Sequence, residues 1–259
     1  MKGFLAAVMM LTRLPLWRVV SIDKRYFTDV LMYWPLVGYL TGCVTALTLW
    51  GASLVMPWLP ACVLAVTARL LFTGAMHEDG LADFLDGFGG GTSKEKILAI
   101  MKDSHIGSYG TIGLVVYFFL YVSFLYSLDM PAAWILILSA DIFSKFCTSV
   151  MINTLPYART EEEAKTKVVY KRNPLWAYLP IAVSAFVPLF VVKGFPLLSA
   201  FAVKDFRILP ALAFPVVASF CLRIYMKKKI GGYTGDCCGA SFLITELACY
   251  SGMVIVYCL

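Results

Sequence analysis

The sequence predicts an all-α, polytopic membrane protein, and three observations carry that prediction. Hydrophobic residues make up 60% of the 259-residue chain, charged residues 15%, and the mean hydropathy is +0.79, far outside soluble globular composition. Residues 30–68 contain no charged side chain, and about 20 helical residues cross a hydrocarbon core. Lipid offers no partner to a backbone N–H or C=O, so long buried spans of this kind must be helices.

Taken in order, the N-terminal FLAAVMMLTRLPLW is too short before Arg13 to cross. It lacks a small-residue cleavage site and is followed by Arg18, Lys24 and Arg25, which predicts an interfacial or re-entrant helix rather than a signal peptide. Pro57 and Pro60 divide the charge-free run into spans over 31–56 and 60–76, because a helix must end there. Further spans are expected at 110–128, 131–155, 175–192, 207–226 and 240–259, about seven in all. One membrane domain, 1–259, accounts for the chain, with polar loops at 77–110, 156–174 and 227–246. Gly38 and Gly42 are spaced as GxxxG, which packs helices within one chain or between two copies; a homo-oligomer stays open on that ground.

Counting spans places the three polar loops and the N-terminal segment on one side of the membrane. That side carries sixteen Lys and Arg plus Arg223, against Lys193, Lys204 and Arg207 opposite. The positive-inside rule then makes the shared face cytoplasmic, in the inner membrane. The net charge of +6 is thus a surface asymmetry that serves topology, anionic lipid or a phosphate-bearing substrate, and no nucleic-acid partner is expected. The eight cysteines show no metal-ligand spacing and read as small apolar residues; Cys237 and Cys238 are the one vicinal pair.

HEDGLADFLDGFGGG, residues 77–91, stands out in so apolar a chain. On a helix, Asp79, Asp83 and Asp86 share one face, a repulsive arrangement that a hard divalent cation reverses. The alternative is an amphipathic helix whose acids face water or pair with Lys94, Lys96 and Lys102. Gly87, Gly89, Gly90 and Gly91 would permit a phosphate-cradling nest, or simply a turn before a helix capped by Thr92 or Ser93. KDSHIGSYG (102–110) and GGYTGDCCGA (231–240), with Asp236 in a glycine-lined turn, are further places for a nucleotide and its metal. His77 and His105, the only histidines, lie in this zone as candidate catalytic or ligand groups. Asp141 and Lys145 are spaced to pair. Arg69, Lys145 and Glu246 lie near enough to the span ends to reach toward the site, and Arg159 in LPYAR is a candidate phosphate clamp.

HEDGLADFLDGFGGG, MKDSHIGSYG, LPYAR and GGYTGDCCGA, in that order and with LTRLP and WPLVGYLTG before them, resemble the cobalamin synthase family, the adenosylcobinamide-GDP ribazoletransferases. The resemblance runs nearly end to end. It implies a Mg²⁺-dependent membrane enzyme that joins adenosylcobinamide-GDP to α-ribazole or its 5′-phosphate, giving adenosylcobalamin or its phosphate and releasing GMP. Position by position, the family's acidic motif falls on His77, Asp79, Gly80, Asp83, Asp86 and Gly87. Its second motif falls on Asp103, Ser104, Gly107 and Gly110. Its third falls on Gly231, Gly232, Thr234, Gly235, Asp236, Gly239 and Ala240, with Glu246 downstream.

On this reading Asp79, Asp83, Asp86 and Asp236 are the expected Mg²⁺ ligands, and His77, Asp83 and His105 the candidate catalytic groups. Asp103, Ser104, Gly107, Lys145, Arg159, Gly232, Thr234, Gly235 and Glu246 are the expected substrate contacts. The chain departs from the family at His105 and at Lys145, where arginine is usual, and at Leu243, where many members have glutamate; lysine and arginine hold phosphate differently. Two alternatives stand beside it: a CDP-alcohol phosphotransferase, which DGLAD fits poorly because Asp83 replaces an arginine, and a transporter, which would place its ionisable groups at mid-membrane.

Overall fold

Proline and glycine set several of the helix ends, among them Pro57, Gly74, Gly91, Gly107 and Gly231. The computed structural model describes residues 1–128, 130–159, 168–185 and 208–258. The span expected over 175–192 is therefore described only to Ala185, and Lys165, Lys167, Lys193, Lys204 and Arg207 lie outside the described residues. Among those residues the regular structure is helical, with one isolated bridge between Tyr157 and Tyr233.

Helix α1 (Lys2–Leu11) has only 10 residues and buries Ala6, Ala7, Val8 and Leu11, in keeping with a segment that does not cross. α2 (Trp34–Ser53) and α3 (Trp58–Thr73) divide around Pro57, which is the N-cap of α3. α4 (Met76–Gly90) and α5 (Lys94–Ile100) follow, α5 being capped by Ser93, whose hydroxyl accepts the Lys96 N–H at 3.3 Å. α6 (Ser108–Tyr126), α7 (Met130–Asn153), α8 (Ala213–Ile230) and α9 (Gly235–Cys258) complete the bundle. Four stretches, Val30–Ser53, Ser108–Tyr126, Leu136–Asn153 and Gly235–Val256, are long and apolar enough to cross a membrane, and α3 with α4 makes a fifth if the bent pair is one span. α8 and the shorter apolar helix Leu175–Ala185 lie beside them. Ile112, Val115, Val116 and Phe119 on α6 and Val216, Val217 and Phe220 on α8 face outward, as lipid-facing positions do. The protein is a polytopic helical membrane protein.

The chain turns by 91° between α3 and α4, where the sequence predicts a span running directly into a loop. Gly74 (φ 70°) ends α3 in the left-handed region, and Ala75 (φ 58°) repeats that conformation. A left-handed alanine costs about 1–2 kcal/mol, so the elbow must be held from outside. Arg13 of LTRLP does this: its N–H donates to the Phe72 carbonyl at 2.8 Å and its guanidinium to the Gly74 carbonyl at 3.4 Å.

The GxxxG of α2 lies on α7 of the same chain. A Cβ at Gly38 would come within 2.9 Å of the Ile142 Cα, and one at Gly42 within 3.3 Å of the Leu138 Cα, so this small-residue face serves packing within the chain. Beside it, buried Lys145 pairs with Asp141 as its spacing predicts and donates to the Thr41 hydroxyl at 3.0 Å. Thr41 in turn donates to Asp141 at 2.9 Å.

Candidate active site

Helices α4 and α9 approach closely because neither has a side chain where they meet. A Cβ at Gly80 would lie 2.9 Å from the Asp236 carbonyl oxygen, and one at Gly239 would lie 3.0 Å from the His77 Cα. Their first turns therefore sit together, with Asp79 and Asp236 in them, where helix N-termini favour negative charge. Asp236 thus belongs to a helix rather than to the expected glycine-lined turn. Thr234, whose hydroxyl accepts the Cys237 N–H at 3.4 Å, starts the helix before the aspartate.

A cavity of about 210 Å³ opens above this junction. It gathers His77, Asp79, Lys145, Arg159, Thr234, Gly235 and Asp236 from the expected site. His77 is buried, its ring 4.9 Å from that of Phe242, and its Nδ1 has no hydrogen-bond partner among the described residues. Lys145 lies 3.8 Å over the Phe242 ring. Arg159 donates to the Leu98 carbonyl of α5 at 2.8 Å, which fixes the guanidinium at the rim.

Other expected residues lie elsewhere. Asp86 accepts the Gly107 N–H at 2.7 Å and the Gly110 N–H at 2.8 Å, so its carboxylate caps α6 rather than joining Asp79. A Cβ at Gly107 or Gly110 would overlap that carboxylate. The amides expected to meet a nucleotide in this motif are thus taken by Asp86. Asp83 is half-buried between the two ends of this acidic row, and no three His, Cys, Asp or Glu among the described residues form a metal cage. Gly87, Gly89 and Gly90 are helical, and the positive-φ glycines among the described residues are Gly74 and Gly231; the expected phosphate nest is not formed. Glu246 is fully buried and accepts from Arg69 at 2.5 and 2.7 Å, while Arg69 donates to the Tyr117 hydroxyl at 2.6 Å and lies 3.8 Å from Glu78. Gly232 allows Tyr233 to bond the Pro156 carbonyl at 3.0 Å. Ser104 is exposed, and the exposed His105 pairs with Asp103 at 2.7 Å. That hydrogen bond holds the Asp103 carboxyl below its ordinary range.

Sequence reasoning missed the wall of the cavity. Trp34, Tyr157, Tyr170, Tyr233 and Phe242 line it. The Tyr170 and Tyr233 rings are parallel within 2° at 6.2 Å, and Tyr157 sets its edge on Tyr233 at 5.3 Å. Burial pushes these three phenols above their ordinary range, so they are neutral.

The cobalamin-5-phosphate synthase family model matches residues 3–254. The chain belongs to this family. It is 36% identical to the adenosylcobinamide-GDP ribazoletransferase of Shewanella sp. (strain W3-18-1), covering 98% of this chain and 94% of that one. It is 37% identical to the protein of the same name from Leptothrix cholodnii, over 96% and 93%, and 34% identical to that of Shewanella baltica (strain OS185), over 98% and 94%. No solved structure matches it. Membership covers nearly the whole chain, so the elbow, the α4–α9 junction and the cavity all lie within the family's own domain.

The cavity's chemistry suits a diphosphate. Asp79 and Asp236 line this one cavity, and one or two carboxylates are what a hard divalent cation commonly takes from a protein beside phosphate. Lys145 and Arg159 add positive charge around the same space.

Proposed function

We propose that this protein transfers the phosphocobinamide group of adenosylcobinamide-GDP to α-ribazole or its 5′-phosphate, releasing GMP. The observation that carries the reading is the single cavity in which His77, Asp79, Lys145, Arg159 and Asp236 converge at the α4–α9 junction, in a chain of this family. A ribose hydroxyl of α-ribazole attacks the phosphorus that bears the cobinamide. The P–O bond to the GMP phosphate breaks, and GMP departs with that oxygen. The hydroxyl proton goes to His77, whose buried Nδ1 has no partner among the described residues. Arg159, fixed on Leu98, steadies the leaving phosphate. Such a reaction needs charge neutralisation and alignment more than a covalent intermediate.

Asp79 and Asp236 would hold Mg²⁺, which when bound neutralises diphosphate charge. Asp86 stands apart as the cap that fixes α6 against α4, and Asp83 lies between. The basic asymmetry of the loops supports a cytoplasmic-membrane protein with this cavity facing the cytoplasm.

The test supplies purified protein in lipid vesicles with adenosylcobinamide-GDP and α-ribazole, with Mg²⁺ or with a chelator. GMP and adenosylcobalamin should form together only with Mg²⁺. Equal yields with chelator would overturn the metal assignment, and turnover of CDP-alcohol substrates instead would overturn the reaction.

A further inference from the structure

We infer that the aromatic wall of Tyr157, Tyr170 and Tyr233 seats the flat base of α-ribazole and sets which bases the enzyme accepts. The inference rests on the proposed reaction and assigns one of its two substrates to a part of the cavity.

Size decides first. The cavity holds about 210 Å³, below the roughly 300–1,000 Å³ of sites that enclose a whole drug-sized ligand. A corrin ring system does not enter such a space, so the corrinoid stays at the mouth and only a small group is enclosed. Three small flat groups are available: the adenine of the adenosyl group, which stays with the corrin at the mouth, the guanine of the GDP moiety and the base of α-ribazole.

Edge chemistry decides between the last two. Guanine carries donors and acceptors around its rim, and burying these without partners is costly. Met10 and Trp34 are apolar neighbours of Tyr170, and Leu11 and Val168 join the polar groups already named in lining the same space. The Tyr170 hydroxyl donates to the Met10 sulfur at 3.8 Å. A dimethyl-substituted benzimidazole has no exocyclic polar group and loses little there.

The wall is also built in advance. Trp34 sets its edge on Tyr170 at 5.9 Å. Tyr233 is pinned by backbone hydrogen bonds to Pro156 and Ala158 at 3.0 and 2.8 Å. Rings held this way present a fixed face to a planar ligand. Because His77 and Asp79 line the same cavity, a base seated on the wall keeps its ribose beside the groups proposed for the chemistry.

The test compares Tyr170→Leu and Tyr170→Phe with wild type in vesicles, measuring the KM of each substrate and the quenching of protein fluorescence by α-ribazole alone. Stacking of a base on an aromatic ring predicts that Tyr170→Leu raises the KM for α-ribazole about tenfold. Tyr170→Phe, which keeps the ring, should raise it less than Tyr170→Leu, and the KM for adenosylcobinamide-GDP should hold in both. If Tyr170→Leu does not fold, Tyr157→Leu carries the same expectation. A rise in the KM for adenosylcobinamide-GDP instead would place guanine on the wall and overturn the inference, as would a fall in kcat with both KM values unchanged. The two readings separate cleanly. Wild-type product without a KM split sinks the wall and keeps the reaction, whereas quenching by α-ribazole without any product sinks the reaction and keeps the wall.

Discussion

The protein keeps two groups of polar side chains side by side, one closed and one open. In the closed group, Arg69 binds Glu246 and Tyr117, and Lys145 binds Asp141 and Thr41. These side chains are buried and answer one another, as buried charge requires. In the open group, His77, Asp79, Arg159 and Asp236 face a cavity, and the His77 Nδ1 has no partner among the described residues. Phe242 joins the two: Arg69 and Lys145 of the closed group lie 5.7 and 3.8 Å from its ring, His77 of the open group meets it at 4.9 Å, and Lys145 also reaches the cavity lining. A charged residue in a membrane chain is therefore no sign of chemistry by itself. What separates the groups is where the charge is turned, inward to a buried partner in one and toward a cavity in the other.

The closed group should fail by losing stability. Arg69→Met leaves Glu246 and Glu78 buried without their cation, a change that costs about 3–5 kcal/mol when one partner of a buried pair is removed. Replacing both partners, as Arg69→Met with Glu246→Leu, should recover part of the loss. Thermal melting in detergent, followed by turnover per folded molecule, checks this. A variant that melts like wild type yet turns over nothing would move Arg69 into the active site and erase the distinction.

The open group should fail by losing turnover. Asp79→Asn and Asp236→Asn each keep shape while removing the negative charge, and a fall in kcat of about 10²–10³-fold is the scale of one lost electrostatic contact at a reacting phosphate. Their melting temperatures should fall less than that of Arg69→Met, since both carboxylates line a cavity rather than a closed pair. Excess Mg²⁺ should restore part of the rate if the loss is in metal affinity. A loss of stability comparable to that of Arg69→Met would show that these acids belong to the closed group.

Much of this organisation is legible in the sequence, and the remainder is hidden for physical reasons. The charge-free run with Pro57 and Pro60 announces α2 and α3, because lipid and proline act locally. The 91° elbow does not show, since it depends on a left-handed Ala75 and on Arg13 reaching Phe72 and Gly74 from another segment. His77, Asp79 and Asp236 are conspicuous as polar residues in an apolar chain, and the cavity gathers all three. The role of Asp86 is not legible: helical spacing puts it with Asp79, but its partners are amides 21 and 24 positions away. The tyrosine wall is hidden for the opposite reason. Aromatic residues make up 15% of the chain, so Tyr157, Tyr170 and Tyr233 offer no contrast until the fold brings them together.

The smallest effect is expected where both groups are absent. His105 and Asp103 are exposed and lie outside the cavity, although both belong to the motif matched to the family. The His105 hydrogen bond lowers the Asp103 pKa. A depressed carboxyl contributes above its ordinary pKa and loses that contribution as the pH falls through the lowered value, but an exposed pair of this kind contributes little. His105→Ala should therefore return the Asp103 pKa toward the ordinary carboxylate value, observable by NMR titration, with melting and turnover near wild type at neutral pH. Arginine, usual at this position in the family, should serve as well as histidine. If His105→Ala abolishes turnover while His105→Arg keeps it, this loop closes on substrate during the reaction, and the open group extends beyond the cavity seen here.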